Sequence, residues 1–360
     1  MTTPSSSQGL LSLTKEQVLR LSPEDRQAHF HLIRLSHPRV SDALADLKLM
    51  SKPGAGTNIT LLVGPTGVGK STVIQALRKQ VLEENEERMR QDLGMIPIAV
   101  AEAPASGERG FSWRIFYQRL GDELAEPLMS KKQQTVQKEG RVTVKPVGSS
   151  ATVAALRTSI EKALVRRKTS IVVVDEAVHL LRNTHGNTLE NHMDALKSLA
   201  NICGVNMILV GSYDLVPLIN LSAQVARRTS IIHFPRYLTG VEREEAAFAK
   251  IAMKLASYLP LDEGVDLSGR VEILHKACVG CVGILKDTLA RALALALREG
   301  GKWKDTHLER AILSPMQQRA ILQETLEGEQ KMENMAFGVG SFKTALDQYR
   351  DFELLVTGTS

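Results

Sequence analysis

Residues Ile59–Thr72 read ITLLVGPTGVGKST. A β-favouring apolar run, Ile59 to Val63, feeds directly into Gly64-Pro65-Thr66-Gly67-Val68-Gly69-Lys70-Ser71. That stretch is a complete Gly-x4-Gly-Lys-[Ser/Thr] phosphate loop, the Walker A pattern. Gly64, Gly67 and Gly69 carry no Cβ, so the loop can turn its backbone N–H groups toward phosphate oxygens. Lys70 supplies a point charge for β and γ phosphates, and the Ser71 hydroxyl is a ligand for Mg²⁺. Thr72 continues into a helix whose start near Lys70 adds a positive dipole end to the same anion site. The spacing therefore predicts a site for a nucleoside triphosphate.

A second stretch extends that expectation to hydrolysis. Ser170–Glu176 reads SIVVVDE, a buried-type strand ending in two carboxylates. In a phosphate-loop fold such a Walker B strand runs beside the loop and aims its terminal Asp at the metal. Asp175 is expected to hold Mg²⁺, and Glu176 to act as general base on the attacking water. The Asp-Glu pair, rather than a lone Asp, points to the additional-strand ATPases, with ATP and Mg²⁺ as cofactors.

Composition sets wider bounds. The chain has 360 residues, 43% of them apolar and 4% aromatic, and a formal net charge of +5 with a pI near 9.0. It can hold one large domain with appendages or two domains. The mild basicity is compatible with nucleic acid. Cys203, Cys278 and Cys281 form no zinc pattern, since the Cys278-Val-Gly-Cys281 pair has no second pair to complete it. They are read as reduced thiols of a cytoplasmic protein. No run approaches the 18 or so apolar residues of a membrane span, and no signal peptide is seen, so no membrane partner is expected.

The periodicities divide the chain into four expected regions. Residues 1–50 form a disordered and helical N-terminal segment, with helix starts at Thr14 and at Ser22-Pro23-Glu24-Asp25. Residues 51–240 form an α/β core, in which strands near 96–101 and 206–211 alternate with helices. Alternation of this kind predicts a parallel sheet covered by helices on both faces. Single helices are expected over 71–90 and 307–326, and a short hairpin around Arg141–Lys145. Residues 241–327 read as helices only, a small lid, and 328–360 as an appendage. The fold class is thus an α/β AAA+ P-loop ATPase core with a parallel sheet, followed by a small all-helical lid.

GPTGVGKS, then VVVDE, then VGS at 210–212, then QVARR at 224–228 together resemble the TnsC/TniB family of AAA+ transposition regulators, with the MuB protein as a more distant relative. The similarity spans roughly residues 25–300. The resemblance implies that Ser212 takes the sensor-one position and that Arg227 or Arg228 is an arginine finger acting on a neighbour's nucleotide. It leaves a departure in the lid, where Lys286 stands in place of the usual sensor-two Arg and Arg291 follows. It also implies a homo-oligomer, ring or helical filament, that coats double-stranded DNA. Such a filament would pass target information to a transposase from a sequence-specific target-selection protein or an RNA-guided, CRISPR-associated complex.

DNA contacts of that kind are electrostatic and largely sequence-independent. Residues 129–168 carry ten Lys and Arg against two Glu. Lys131, Lys132, Lys138, Arg141 and Lys145 are the expected DNA-binding set, with Arg109 in the loop after the second strand. A different class remains open: a signalling or initiator-like switch, or a peptide-remodelling ATPase not acting on DNA. A peptide motor presents aromatic pore residues, and Phe111, Trp113, Phe116 and Tyr117 have helical spacing that fits a core better.

Overall fold

The computed structural model describes residues 7–52, 58–105, 110–126, 133–138, 141–146, 153–181, 187–221 and 229–335, which form two compact units. The sheet unit comprises residues 42–63 and 73–234. Among the described residues its strands are β1 (Ile59–Val63), β2 (Ile98–Glu102), β3 (Gln133–Lys138), β4 (Arg141–Pro146), β5 (Ile171–Asp175), β6 (Asn206–Gly211) and β7 (Thr229–His233). Five of them form a parallel sheet in the order β2-β5-β6-β1-β7, the AAA+ P-loop ATPase arrangement. Every residue of β1 is buried, as are the first four of β5 and the last five of β6. Continuous apolar strands of this type suit a sheet whose two faces are both covered.

Parallel pairing sends all strand C-termini to one edge. Val63 is level with Gly211, Val174 with Leu209, and Glu102 with Asp175. The helices around the sheet follow the expected periods, Trp113–Glu123, Val153–Arg166 and Asn187–Cys203 among them. The aromatic run packs inward as expected. Phe116 and Tyr117 are fully buried, and Trp113 meets both Phe111 and His192 edge-on at 5.1 and 5.6 Å.

The helix expected over 71–90 is two helices, Lys70–Glu84 and Glu86–Gln91. Asn85 leaves helical geometry between them, and its side-chain amide donates to the Val81 carbonyl at 2.8 Å, competing with the backbone ladder. Among the described residues, four cations of the basic stretch are used internally: Arg157 pairs with Glu161, Arg166 with Glu126 and Lys168 with Asp92, and Arg167 donates to the carbonyls of Gly94, Leu124 and Ala125. The hairpin expected near Arg141 is β3–β4, an antiparallel pair.

The helical unit comprises residues up to Ser41, 64–72, and those from Pro235 onward. Its N-terminal helices begin where the capping residues predict: Thr14 and Gln17 make a reciprocal box, and Ser22 accepts from the Asp25 N–H. The later helices are Glu242–Ser257, Val271–Ala277, Val282–Arg298, Asp305–Ala311 and Pro315–Met335. Phe30, Phe248, Leu274, Leu285, Leu289 and Leu293 form its apolar centre, with the His275 ring stacked on Phe248 at 4.2 Å. The helix expected over 307–326 is broken because Pro315 cannot continue one. Ser314 and Gln317 instead cap the new start reciprocally, and that helix runs through Gly328 to Met335. Among the described residues no helix is long and apolar enough to cross a membrane.

Candidate functional site

In the helical unit, the phosphate loop follows β1 along the chain and ends where helix Lys70–Glu84 begins. Gly67 and Gly69 have φ of +76° and +113°, which side chains with a Cβ rarely adopt. The first-turn N–H groups of that helix have no intrahelical acceptor, so loop and helix start together make an anion cradle. Lys70 Nζ donates to the carbonyls of Gly64 and Pro65, both at 2.9 Å. The fit of these residues to a triphosphate therefore rests on backbone geometry as well as on residue type.

Lid residues grip the same loop. The Gly67 carbonyl accepts from the Ile284 N–H at 3.2 Å, and a Cβ on Gly283 would lie 2.3 Å from that oxygen. Thr66 Oγ1 donates to Glu324 Oε1 at 3.0 Å. The turn before helix Val282–Arg298 holds Val279 at φ +54°. For a β-branched residue this is strain of about 1–3 kcal/mol. The two lid cations considered for the sensor-two role, Lys286 and Arg291, have partners elsewhere. Lys286 Nζ donates to the His31 and Ile33 carbonyls at 2.7 Å each, and burial pushes its pKa down from 10.5 to about 8. Arg291 donates to the Ala311 carbonyl and to Thr288. Burial pushes the Cys278 and Cys281 thiols up to about 12, which keeps them protonated.

In the sheet unit, Asp175 closes β5 and Ser212 follows β6, its neighbour, at the C-terminal edge. The pairing of adjacent parallel strands thus brings Asp175, Glu176 and Ser212 to one rim. Glu176 has φ +50° and ψ 37°, a left-handed conformation for a non-glycine residue, and its N–H donates to Asp175 Oδ1 at 2.9 Å. Ser212 Oγ donates to Asp214 Oδ2 at 3.2 Å and accepts from the Asp214 N–H at 3.4 Å. Glu102, opposite Asp175 in register, is a third carboxylate at this rim. The end of IAVAE was its only sequence signal. Among the described residues no group of three or more His, Cys, Asp and Glu side chains forms a metal-binding cluster.

Arg109, Lys131, Lys132, Arg227 and Arg228 lie outside the described residues. Lys138, Arg141 and Lys145 lie on the hairpin. Lys138 is opposite Arg141, and Lys145 is opposite Gln134. By the two-residue period of a strand, these three positions share one face of the ribbon. Glu324, Gly283 and Ile284 are the contacts that sequence reasoning missed.

Residues 54–219 match a protein-family model described as an AAA domain. No curated protein matches the sequence. Among solved structures, the chain is similar to the ORC2 protein of Aeropyrum pernix in its ADPNP–ADP complexes, with a TM-score of 0.50 and 14% identity over 87% of this chain and 85% of that one. It is similar also to the ORC1 protein of the same organism in complex with DNA, with a TM-score of 0.50 and 19% identity over 83% and 70%. At such identities the likeness is one of fold.

Proposed function

We propose that this chain is an ATP-dependent, DNA-binding AAA+ regulator that oligomerises on target duplex DNA and links target selection to a transposase. The observation that carries the ATPase part is the phosphate loop after β1 together with an Asp-Glu pair closing β5 of the same parallel sheet. Gly64 to Thr72 would hold the triphosphate, with Lys70 exchanging its two loop carbonyls for β and γ oxygens. Ser71 and Asp175 would hold Mg²⁺, which when bound neutralises charge on those oxygens. Glu176 takes a proton from the attacking water, and its left-handed backbone is the kind of local strain that collects at catalytic positions. Ser212 orients that water, and Arg227 or Arg228 reaches a neighbouring protomer's nucleotide, so hydrolysis to ADP and phosphate is tied to assembly.

The DNA part is supported by the three cationic positions that share one face of the β3–β4 ribbon. Arg109, Lys131 and Lys132 are proposed as further phosphate contacts on the strength of their charge alone. The link to transposition rests on the motif resemblance around 210–212 and 224–228. The ORC1 relative is described in complex with DNA, which favours a nucleic-acid role over a peptide motor. The burial of Phe116 and Tyr117 removes two of the aromatic residues that a peptide pore would need. Co-sedimentation with plain linear duplex over a salt series tests the reading. Retention is expected with ATP and falls as salt rises. Absence of binding at low salt, with ATP or a non-hydrolysable analogue, overturns it.

A further inference from the structure

Helix Pro315–Met335 is fastened to its unit through two carboxylates of unequal strength. Glu329 takes a two-pronged bond from Arg236, Nε at 3.0 Å and Nη2 at 3.2 Å, and the Arg236 side chain is only 3% exposed. A buried, bidentate ion pair is costly to open because it strands a charge. Five residues earlier, about 7.5 Å along the helix axis, Glu324 accepts from Thr66 Oγ1. That contact is exposed on both sides and is weak. Its partner is a residue of the phosphate loop itself, next to Gly67, whose carbonyl the Ile284 N–H already holds. The helix is therefore anchored at Glu329, and near its middle, at Glu324, it rests a negative charge on a loop built to receive negative charge.

We propose that Glu324 is a releasable strap on the phosphate loop, displaced when a nucleoside triphosphate binds, so that nucleotide occupancy is transmitted to helix Pro315–Met335. The inference rests on the nucleotide-binding reading above. Phosphate oxygens at the loop repel the Glu324 carboxylate and compete for the Thr66 hydroxyl. The Arg236–Glu329 pair keeps the helix attached while the contact at Glu324 is released. Coupling of this kind is reciprocal: whatever removes the strap also strengthens nucleotide binding.

The test uses the full chain, a fluorescent ATP analogue and amide hydrogen exchange. Glu324→Gln keeps the shape and an acceptor oxygen while removing the charge. It is expected to bind the analogue about threefold more tightly at low salt, with the gap closing as salt screens the repulsion. In the parent protein, ATP should speed exchange around residue 324 and leave the segment around residue 329 protected. Thr66→Val, which removes the same contact from the loop side, should show the faster exchange without nucleotide. Equal affinity of Glu324→Gln and parent at low salt, or exchange near residue 324 that ignores ATP, overturns the strap while nucleotide binding stands. A parent protein that binds no analogue takes down both readings.

Discussion

The carbonyl oxygen of Gly67 accepts a hydrogen bond from the N–H of Ile284 at 3.2 Å, joining the phosphate loop to the first turn of helix Val282–Arg298. The approach is possible because residue 283 is glycine. Any Cβ there would stand 2.3 Å from the Gly67 oxygen and 3.0 Å from its carbon. That glycine sets how closely the first turn of the helix can approach the loop.

Gly283→Ala should push the lid turn off the loop. Overpacking against backbone costs about 1–3 kcal/mol, so the melting temperature should fall and nucleotide affinity with it. Thermal denaturation and analogue binding measure the two effects. A variant with parental values in both would mean that the contact is not needed.

Lys70→Ala and Glu176→Gln should separate binding from turnover. The first removes the cation of the loop and should abolish nucleotide binding and nucleotide-dependent assembly on DNA. The second spares the Asp175 position and should bind and assemble while hydrolysing ATP about 10²–10⁴-fold more slowly. Phosphate release and sedimentation distinguish them. Hydrolysis at the parental rate in Glu176→Gln would remove Glu176 from the role of base.

Lys286 gives a pH signature. Its folded pKa lies near 8, below the 10.5 of the unfolded chain, chiefly because burial disfavours the charged form. Below about pH 8 both states hold the proton, and the folded state bears the cost of the buried charge. Between about 8 and 10.5 the folded protein has released the proton while the unfolded chain keeps it, so stability rises with pH over that window. The parent should gain stability relative to Lys286→Met from pH about 8 to 10.5, read as a difference in denaturation midpoints. A difference that stays flat across the window would refute the assignment.

Replacing Lys138, Arg141 and Lys145 together by Gln should weaken duplex binding across sequences. The slope of log affinity against log salt should flatten by about 0.9 for each phosphate contact removed. Binding titrations at several salt concentrations supply the slope. An unchanged slope would move the DNA face away from the β3–β4 ribbon.

Much of the site was legible along the chain because its chemistry is local. A phosphate loop is read within eight residues, and the strand that ends in Asp175-Glu176 is read within seven. The backbone follows from the residue types, with glycines at positive φ and a helix opening at Lys70. Capping chemistry worked similarly at Thr14 and Ser22. It was overlooked at Ser314-Pro315, where the Ser and Gln317 pattern marked a helix start inside an apparently continuous period.

By itself, then, the sequence determined the α/β class, the loop and the carboxylate pair, since each depends on neighbours a few bonds away. Tertiary structure alone decided the strand order that puts β6 between β5 and β1, and the use of Lys286 to hold the carbonyls of His31 and Ile33. It alone decided the contact of Thr66 with Glu324, 258 residues away in the chain. No local period encodes such partners. They are chosen when apolar faces from distant segments pack, and packing selects the polar groups that end up side by side.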